Sequence, residues 1–378
     1  MKFGLEIKSE FLDSEKNAMA RLGLLHTRHG DIKTPAFMPV ATVAAMKAMQ
    51  FEQLVKCGAD VILSNTYHLM IQDRYLTIEE MGGLHKFMNW PAPILTDCGG
   101  FQAMSLSSLN KIDENGVQFS CHLSGRRHTL TPEFSVEIQH KLDSTITMAL
   151  DECVRQPSNY EYTKKAMERS LRWAKRSRDA FVERAGYGLY GIIQGGADRK
   201  LREISVEGLV DIGFDGYAIG GDLSINDGWE LMFSVLDYLT PMIPLEKPRY
   251  LMGVGKPIDI VGSVLRGVDQ FDCVMPARGG RNGQAFVRGG VININNSKYR
   301  YDREALDSKC KCTACQQHTR AYLHHLFKAK EILGPILMTE HNIMYYQDLM
   351  RGIRKHIENK DYQKFAEEFI ENGAKDSY

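Results

Sequence analysis

Short apolar runs, each ending in small or polar residues, recur at 36–40, 60–63, 93–97, 145–151, 189–194, 216–220, 250–254 and 270–275. Such near-continuous hydrophobicity over a few residues predicts strands covered on both faces. Helix-period stretches are predicted between them over 160–185, 226–239 and 257–266. In the first, Ala166, Leu171, Ala174 and Phe181 interleave with Lys164, Arg169, Arg172 and Arg176, the pattern of an apolar stripe backed by a solvated basic face. Eight strands with helical crossovers predict an α/β chain whose best fit is a parallel (β/α)8 TIM barrel. A doubly wound open sheet is the alternative that counting strands does not exclude.

A barrel places its chemistry at the C-terminal ends of its strands. Those ends carry Asp97, Asp151, Gln194, Gly220, Gly221 and Gly253, with Asp272 inside its run. Three strand-end carboxylates and a glutamine predict a site there. Asp272 stands out, because a carboxylate in an apolar run is costly unless it is paired or functional. Asp97 opens Asp-Cys-Gly-Gly-Phe-Gln, where the glycines permit close backbone approach and Phe101 offers a flat apolar face. Two carboxylates facing a planar heterocycle suggest chemistry at a glycosidic carbon, one attacking while the other manages the leaving group's proton. Asp151 and Gln194 then suit the reading of a base, since a carboxylate accepts two hydrogen bonds and an amide both donates and accepts.

Composition narrows the class. The chain has 378 residues, 47 basic and 47 acidic side chains, 43% hydrophobic and 25% charged residues, which excludes disordered and collagen-like classes. No apolar run approaches the roughly 20 residues of a membrane span, and the N-terminus lacks the apolar stretch of a secretory signal, so a cytoplasmic protein is expected. The neutral total hides a local asymmetry: 273–301 contains no acid but carries Arg278, Arg281, Arg288, Lys298 and Arg300. A patch of that sign suits phosphates.

Of eight cysteines, Cys310, Cys312 and Cys315 fall within six residues, the spacing that tetrahedral Zn²⁺ requires. His341, read as starting a helix after Gly334-Pro335, is the best fourth ligand; His324 and His325 are rivals inside a helical stretch. A closed Cys₃His shell predicts one structural zinc per chain. Cys57, Cys121 and Cys153 read as small buried hydrophobes.

TDCGGFQ, LDEC, IIQGG, DGYAIGG, YLMGVGKP, FDCVMPAR and CKCTAC followed by TEHN together resemble the bacterial tRNA-guanine transglycosylases, also called queuine tRNA-ribosyltransferases, from about Gly30 to about Ile357. The resemblance implies an irregular barrel with a C-terminal zinc-binding subdomain. The expected organisation is an N-terminal β-rich cap (1–30), the catalytic barrel (31–300), a zinc-binding insertion (301–345) and C-terminal helices (346–378). It implies that guanine at the wobble position of tRNAs with a GUN anticodon (His, Tyr, Asn and Asp acceptors) is exchanged for a 7-deazaguanine, in queuosine biosynthesis. Asp272 matches the nucleophile and Asp97 the general acid/base. Phe101, Asp151, Gln194, Gly220, Gly221 and Met252 match base-binding positions; Gly253, Lys256, Arg278 and Arg281 match RNA-contacting loops. A homodimer is implied, although His318 stands where relatives often place an aromatic residue.

The chain departs from the pattern at Cys98, usually serine, and at 222–227, which appears with one inserted residue. Cys153 and Ile225 resemble the narrow pocket for 7-aminomethyl-7-deazaguanine; the insertion keeps queuine salvage as an alternative. A non-catalytic zinc and RNA-binding partner subunit is a further alternative, which retention of Asp97 and Asp272 opposes.

Overall fold

The computed structural model describes residues 2–13, 18–106, 110–155, 157–221 and 228–375. Eight parallel strands form one sheet: β1 (Ala36–Met38), β2 (Ile62–Ser64), β3 (Ile94–Thr96), β4 (Ile146–Met148), β5 (Gly188–Ile193), β6 (Gly216–Ile219), β7 (Arg249–Leu251) and β8 (Gln270–Asp272). Each lies within or beside a run anticipated from hydrophobicity, and their residues are almost entirely buried. The spatial order β1-β8-β7-β6-β5-β4-β3-β2 follows the sequence around a ring. A parallel bridge between Val40 and Leu63, with Ala41 N–H donating to Leu63 O at 2.7 Å and Leu63 N–H to Pro39 O at 3.0 Å, joins β1 to β2. The sheet is therefore a nearly closed barrel, and the open doubly wound alternative falls.

The N-terminal end of the barrel is covered by an antiparallel sheet of Gly4–Asp13, Ala18–Thr27 and Gly30–Thr34. Arg21 pins it down: Nε donates to Asp269 Oδ1 at 2.8 Å and Nη2 to Oδ2 at 2.6 Å, with both side chains buried. Phe3 packs where a Cβ on Gly188 would meet its ring at 2.6 Å, so glycine at the start of β5 makes room for the cap.

The helix predicted over 160–185 runs Tyr160–Ala180, capped by Asn159. Its basic face is largely paired, Arg169 with Glu152, Arg172 with Glu114 and Arg176 with Glu133. The helix predicted over 257–266 is Pro257–Leu265, and the described part of the one predicted over 226–239 is Gly228–Leu239.

Two features depart from expectation. His341 does not begin a helix: it lies well inside Leu333–Glu358, whose first turn holds Gly334 and Pro335, where proline costs no hydrogen bond. That helix also runs through residue 345, where a domain boundary was expected. An antiparallel sheet of Asn110–Asp113, Gly116–Ser120 and Arg127–Leu130 is inserted between β3 and β4. Its first two strands are joined by the two-residue turn Glu114-Asn115, with Asp113 paired to Gly116. No helix among the described residues is long and apolar enough to cross a membrane.

Candidate active site and metal centre

The C-terminal ends of the strands surround a cavity of about 800 Å³. β1 and β2 are followed into it by Val40 and Asn65, β3 by Asp97, β4 by Asp151, β5 by Gln194 and β6 by Gly220 and Gly221. β7 brings Tyr250 and Met252; β8 ends on Asp272. Phe101, Gly253, Lys256 and Arg278 also line the cavity, whereas Arg281 is half-buried outside that lining.

Asp97 is buried, and three donors hold its carboxylate: Asn65 Nδ2 to Oδ2 at 2.6 Å, Gln102 Nε2 to Oδ2 at 2.9 Å and Thr66 N–H to Oδ1 at 2.8 Å. Burial still pushes it up to about 6; Asn65 and Thr66 oppose the rise and the charge of Asp272 adds to it. A carboxyl so poised exchanges protons near neutrality.

Asp272 is held asymmetrically. Tyr250 Oη donates to Oδ1 at 2.6 Å and Gly253 N–H to the same oxygen at 2.8 Å. No hydrogen bond from a described residue reaches Oδ2, which leaves that oxygen's lone pairs for an electrophile. Burial raises the Asp272 carboxyl, and the Tyr250 and Gly253 donors oppose that rise by favouring its charged form.

Asp151 receives Cys98 Sγ on Oδ1 at 3.2 Å and Gln194 Nε2 on Oδ2 at 2.6 Å. Burial keeps Cys98 a protonated thiol, so it serves as a donor where a serine hydroxyl would. Gln194, having spent an N–H on Asp151, retains its carbonyl oxygen as an acceptor. Phe101 is 43% exposed at the rim, an aromatic face without a stacking partner among the described aromatic pairs. The neighbouring glycines act differently from the expectation of close approach to a ligand. Gly99 adopts φ +79° at the start of Gly100–Ser105, and a Cβ on Gly100 would meet Asp151 O at 2.9 Å. The pair lets this helix pack against the chain leaving β4, at Leu150 and Asp151.

Asn65, Gln102 and Tyr250 were not singled out from the sequence. Asn65 follows an apolar run in Ser-Asn-Thr, so the strand-end rule would have found it. Tyr250 lies within β7, and only the barrel geometry turns its hydroxyl to Asp272. The run 222–227 with Ile225, expected to border the base's substituent, lies outside the described residues. In the acid-free stretch, Arg278 is exposed at the cavity, but Arg288 is taken by Asp307 at 2.9 Å.

Cys310, Cys312, Cys315 and His341 bring their ligand atoms within 4.8 Å of one another, an arrangement that could hold one metal ion. His341 Nδ1 lies 3.4 Å from Cys312 Sγ and 3.3 Å from Cys315 Sγ, close to the edges of a tetrahedron around a metal of zinc's size. His341 Nε2 donates to Phe286 O at 2.8 Å, which fixes the tautomer and turns the Nδ1 lone pair on the thiols. His324 is engaged elsewhere, its Nδ1 2.7 Å from Ile294 O.

Comparison with known proteins gives the same reading. A family profile described as Queuine tRNA-ribosyltransferase matches residues 15–375. The queuine tRNA-ribosyltransferase of Rickettsia prowazekii is 57% identical over 362 residues, covering 96% of this chain and 98% of the relative. That of Rickettsia bellii is 56% identical over 350 residues, covering 93% and 97%. That of Granulibacter bethesdensis is 55% identical over 342 residues, covering 90% of each. With a barrel, its strand-end carboxylates and a Cys₃His group already in place, this similarity shows that the chain belongs to the queuine tRNA-ribosyltransferase family, the pentosyltransferases known as tRNA-guanine transglycosylases.

Proposed function

We propose that the enzyme exchanges guanine at the wobble position of tRNAs with a GUN anticodon for 7-aminomethyl-7-deazaguanine by two displacements at one ribose carbon, in the cytoplasm. Asp272 Oδ2 attacks C1′ as the C1′–N9 bond breaks, and Asp97 supplies the proton that leaves with guanine. The incoming base gives its N9 proton back to Asp97, N9 attacks C1′, and the ester to Asp272 breaks. Two inversions retain the configuration, and the proton count closes on Asp97.

The carrying observation is the asymmetric hold on Asp272, both donors on Oδ1, in the same cavity as a carboxyl lifted to about 6. Phe101 and Met252 bracket the flat base, Asp151 and Gln194 pair with its polar edge, and the backbone at Gly220 and Gly221 completes the reading. Gly253, Lys256, Arg278 and Arg281 contact RNA, in keeping with a nucleotide splayed out of an unpaired loop.

The metal is a single structural zinc. Cys310, Cys312, Cys315 and His341 would hold it, and what it supplies is cross-linking of the C-terminal module. The enzyme works as a homodimer through the face carrying His318, which stacks on Tyr322 at 4.9 Å between centroids.

The test is incorporation of labelled guanine into tRNA transcripts. Transcripts with a GUN anticodon should exchange, and the aminomethyl deazaguanine should block incorporation. Equal labelling of transcripts lacking GUN would contradict the assignment.

A further inference from the structure

Behind the base-reading wall lies a cation that the mechanism does not use. Arg202, on the helix Arg199–Ile212, is fully buried and has no carboxylate partner among the described residues. Its Nε donates to Gly196 O at 2.6 Å and its Nη2 to Gly220 O at 2.9 Å, while Nη1 is buried without a hydrogen-bond partner. One guanidinium thus ties the chain leaving β5, which carries Gln194, to the chain leaving β6, which carries Gly220 and Gly221. Burying an arginine is costly, and two backbone carbonyls that salt bridges do not need are an unusual return for it.

The trans, planar peptide gives the contact a direction. The carbonyl of residue 220 and the N–H of residue 221 belong to one peptide plane and point to opposite sides. Gly220 N–H is already used, donating to Ile193 O at 3.1 Å. With Arg202 holding the Gly220 carbonyl from behind, the Gly221 N–H is turned away from Arg202, towards the cavity that both glycines line. Glycine is needed at 221 on two counts: φ is +100°, and a Cβ would meet Arg202 Nη2 at 2.7 Å.

We propose that Arg202 is a positioning residue for base selection: by clamping the Gly220 and Gly196 carbonyls it locks the 220–221 peptide with its N–H facing the base, so that the site demands a heterocycle with a carbonyl acceptor at that edge. The inference deepens the base-exchange reading and rests on it. Without the clamp the peptide is free to rotate, and its carbonyl can replace its N–H at the cavity wall. A site built around a fixed donor rejects ligands that lack the matching acceptor.

The test compares guanine with 6-thioguanine, which keeps the N1–H donor but exchanges the oxygen for a poor acceptor. Inhibition constants for both are measured in the exchange assay with wild type, Arg202→Met and Arg202→Lys, alongside KM for tRNA. Wild type should favour guanine by at least about tenfold. In Arg202→Met the preference should collapse to within about threefold, with KM for tRNA unchanged. Arg202→Lys, able to reach one carbonyl, should lie between them. A merely structural role would lower the active fraction and leave the ratio alone. A wild-type ratio in Arg202→Met overturns the inference; if that variant does not fold, a wild-type ratio in Arg202→Lys overturns it equally. Absence of guanine exchange by the wild-type enzyme defeats the underlying reading, and this inference with it, whereas normal exchange with an unaltered ratio defeats this inference alone.

Discussion

At the scale of single residues, the account turns on two carboxylates that differ through their neighbours. Asp97 keeps three donors yet sits at about 6, because burial and the charge of Asp272 outweigh them. In the proposed exchange Asp97 accepts the incoming base's proton, and for that it must be ionised. Discharge of the ribosyl–enzyme should therefore be flat at high pH and fall about tenfold per unit below the Asp97 pKa. Forming the ester removes the Asp272 charge, so this limb should lie at or below about 6. A stopped-flow pH profile of discharge checks it, and a rate independent of pH from 7 down to 4.5 would remove Asp97 from that role. Asp272→Asn should lower exchange by at least about 10³-fold while leaving tRNA binding within a few-fold, measured by single-turnover kinetics and filter binding. Asp97, Asp151, Gln194 and Asp272 were legible in the sequence because strand ends of a barrel converge on one face. Tyr250 and Arg202 were not: one is an inward-facing strand residue, the other a helix residue indistinguishable by pattern from surface arginines.

At the scale of elements, the Cys₃His group is connected to the catalytic face by a chain of hydrogen bonds. His341 Nε2 holds Phe286 O. The adjacent Asn342 donates to Pro276 O at 2.9 Å and Gln284 O at 2.8 Å and accepts from Phe286 N–H at 2.9 Å. Pro276 belongs to the helix Met275–Arg281, which follows Asp272 and carries Arg278. Stripping the metal should lower the thermal midpoint by about 10 °C or more and raise KM for tRNA by more than it lowers kcat. Differential scanning fluorimetry and initial rates before and after chelation check this; unchanged midpoint and KM would refute a structural role. The eight barrel strands were legible because burial on both faces forces unbroken apolar runs. The inserted sheet at 110–130 was not, since its strands alternate and are partly exposed. The start of the helix bearing His341 was misread because Gly-Pro signals a turn equally well outside a helix and in its first turn.

At the scale of the whole molecule, the two ends of the barrel do different work. The catalytic end keeps charges apart from water to make them reactive, and the capped end pairs them. Arg21→Leu leaves the buried Asp269 without its described salt-bridge partner, held only by the Arg249 N–H at 2.7 Å among the described donors, and should cost about 3–5 kcal/mol in urea unfolding, far more than an exposed ion pair; a loss below about 1 kcal/mol would contradict the pinning role. Near the same end His29 and His85 stack at 3.6 Å between centroids and both reach Thr145 Oγ1, at 2.8 and 3.1 Å. Burial lowers His29 and takes His85 and His140 down to about 4. Their folded values lie below the unfolded value of about 6.5, so the unfolded chain binds more protons. Stability from these histidines is complete above about 6.5 and is lost as pH falls towards 4; a denaturation midpoint unchanged between pH 7 and 4.5 would contradict it. The central claim is reached most directly by quenching the enzyme during turnover on GUN tRNA, digesting with nuclease and protease, and weighing the peptides. A nucleotide remnant should be found on the peptide containing Asp272, should disappear on a chase with excess base, and should be absent from Asp272→Asn. Continued exchange with that peptide never modified would contradict the account.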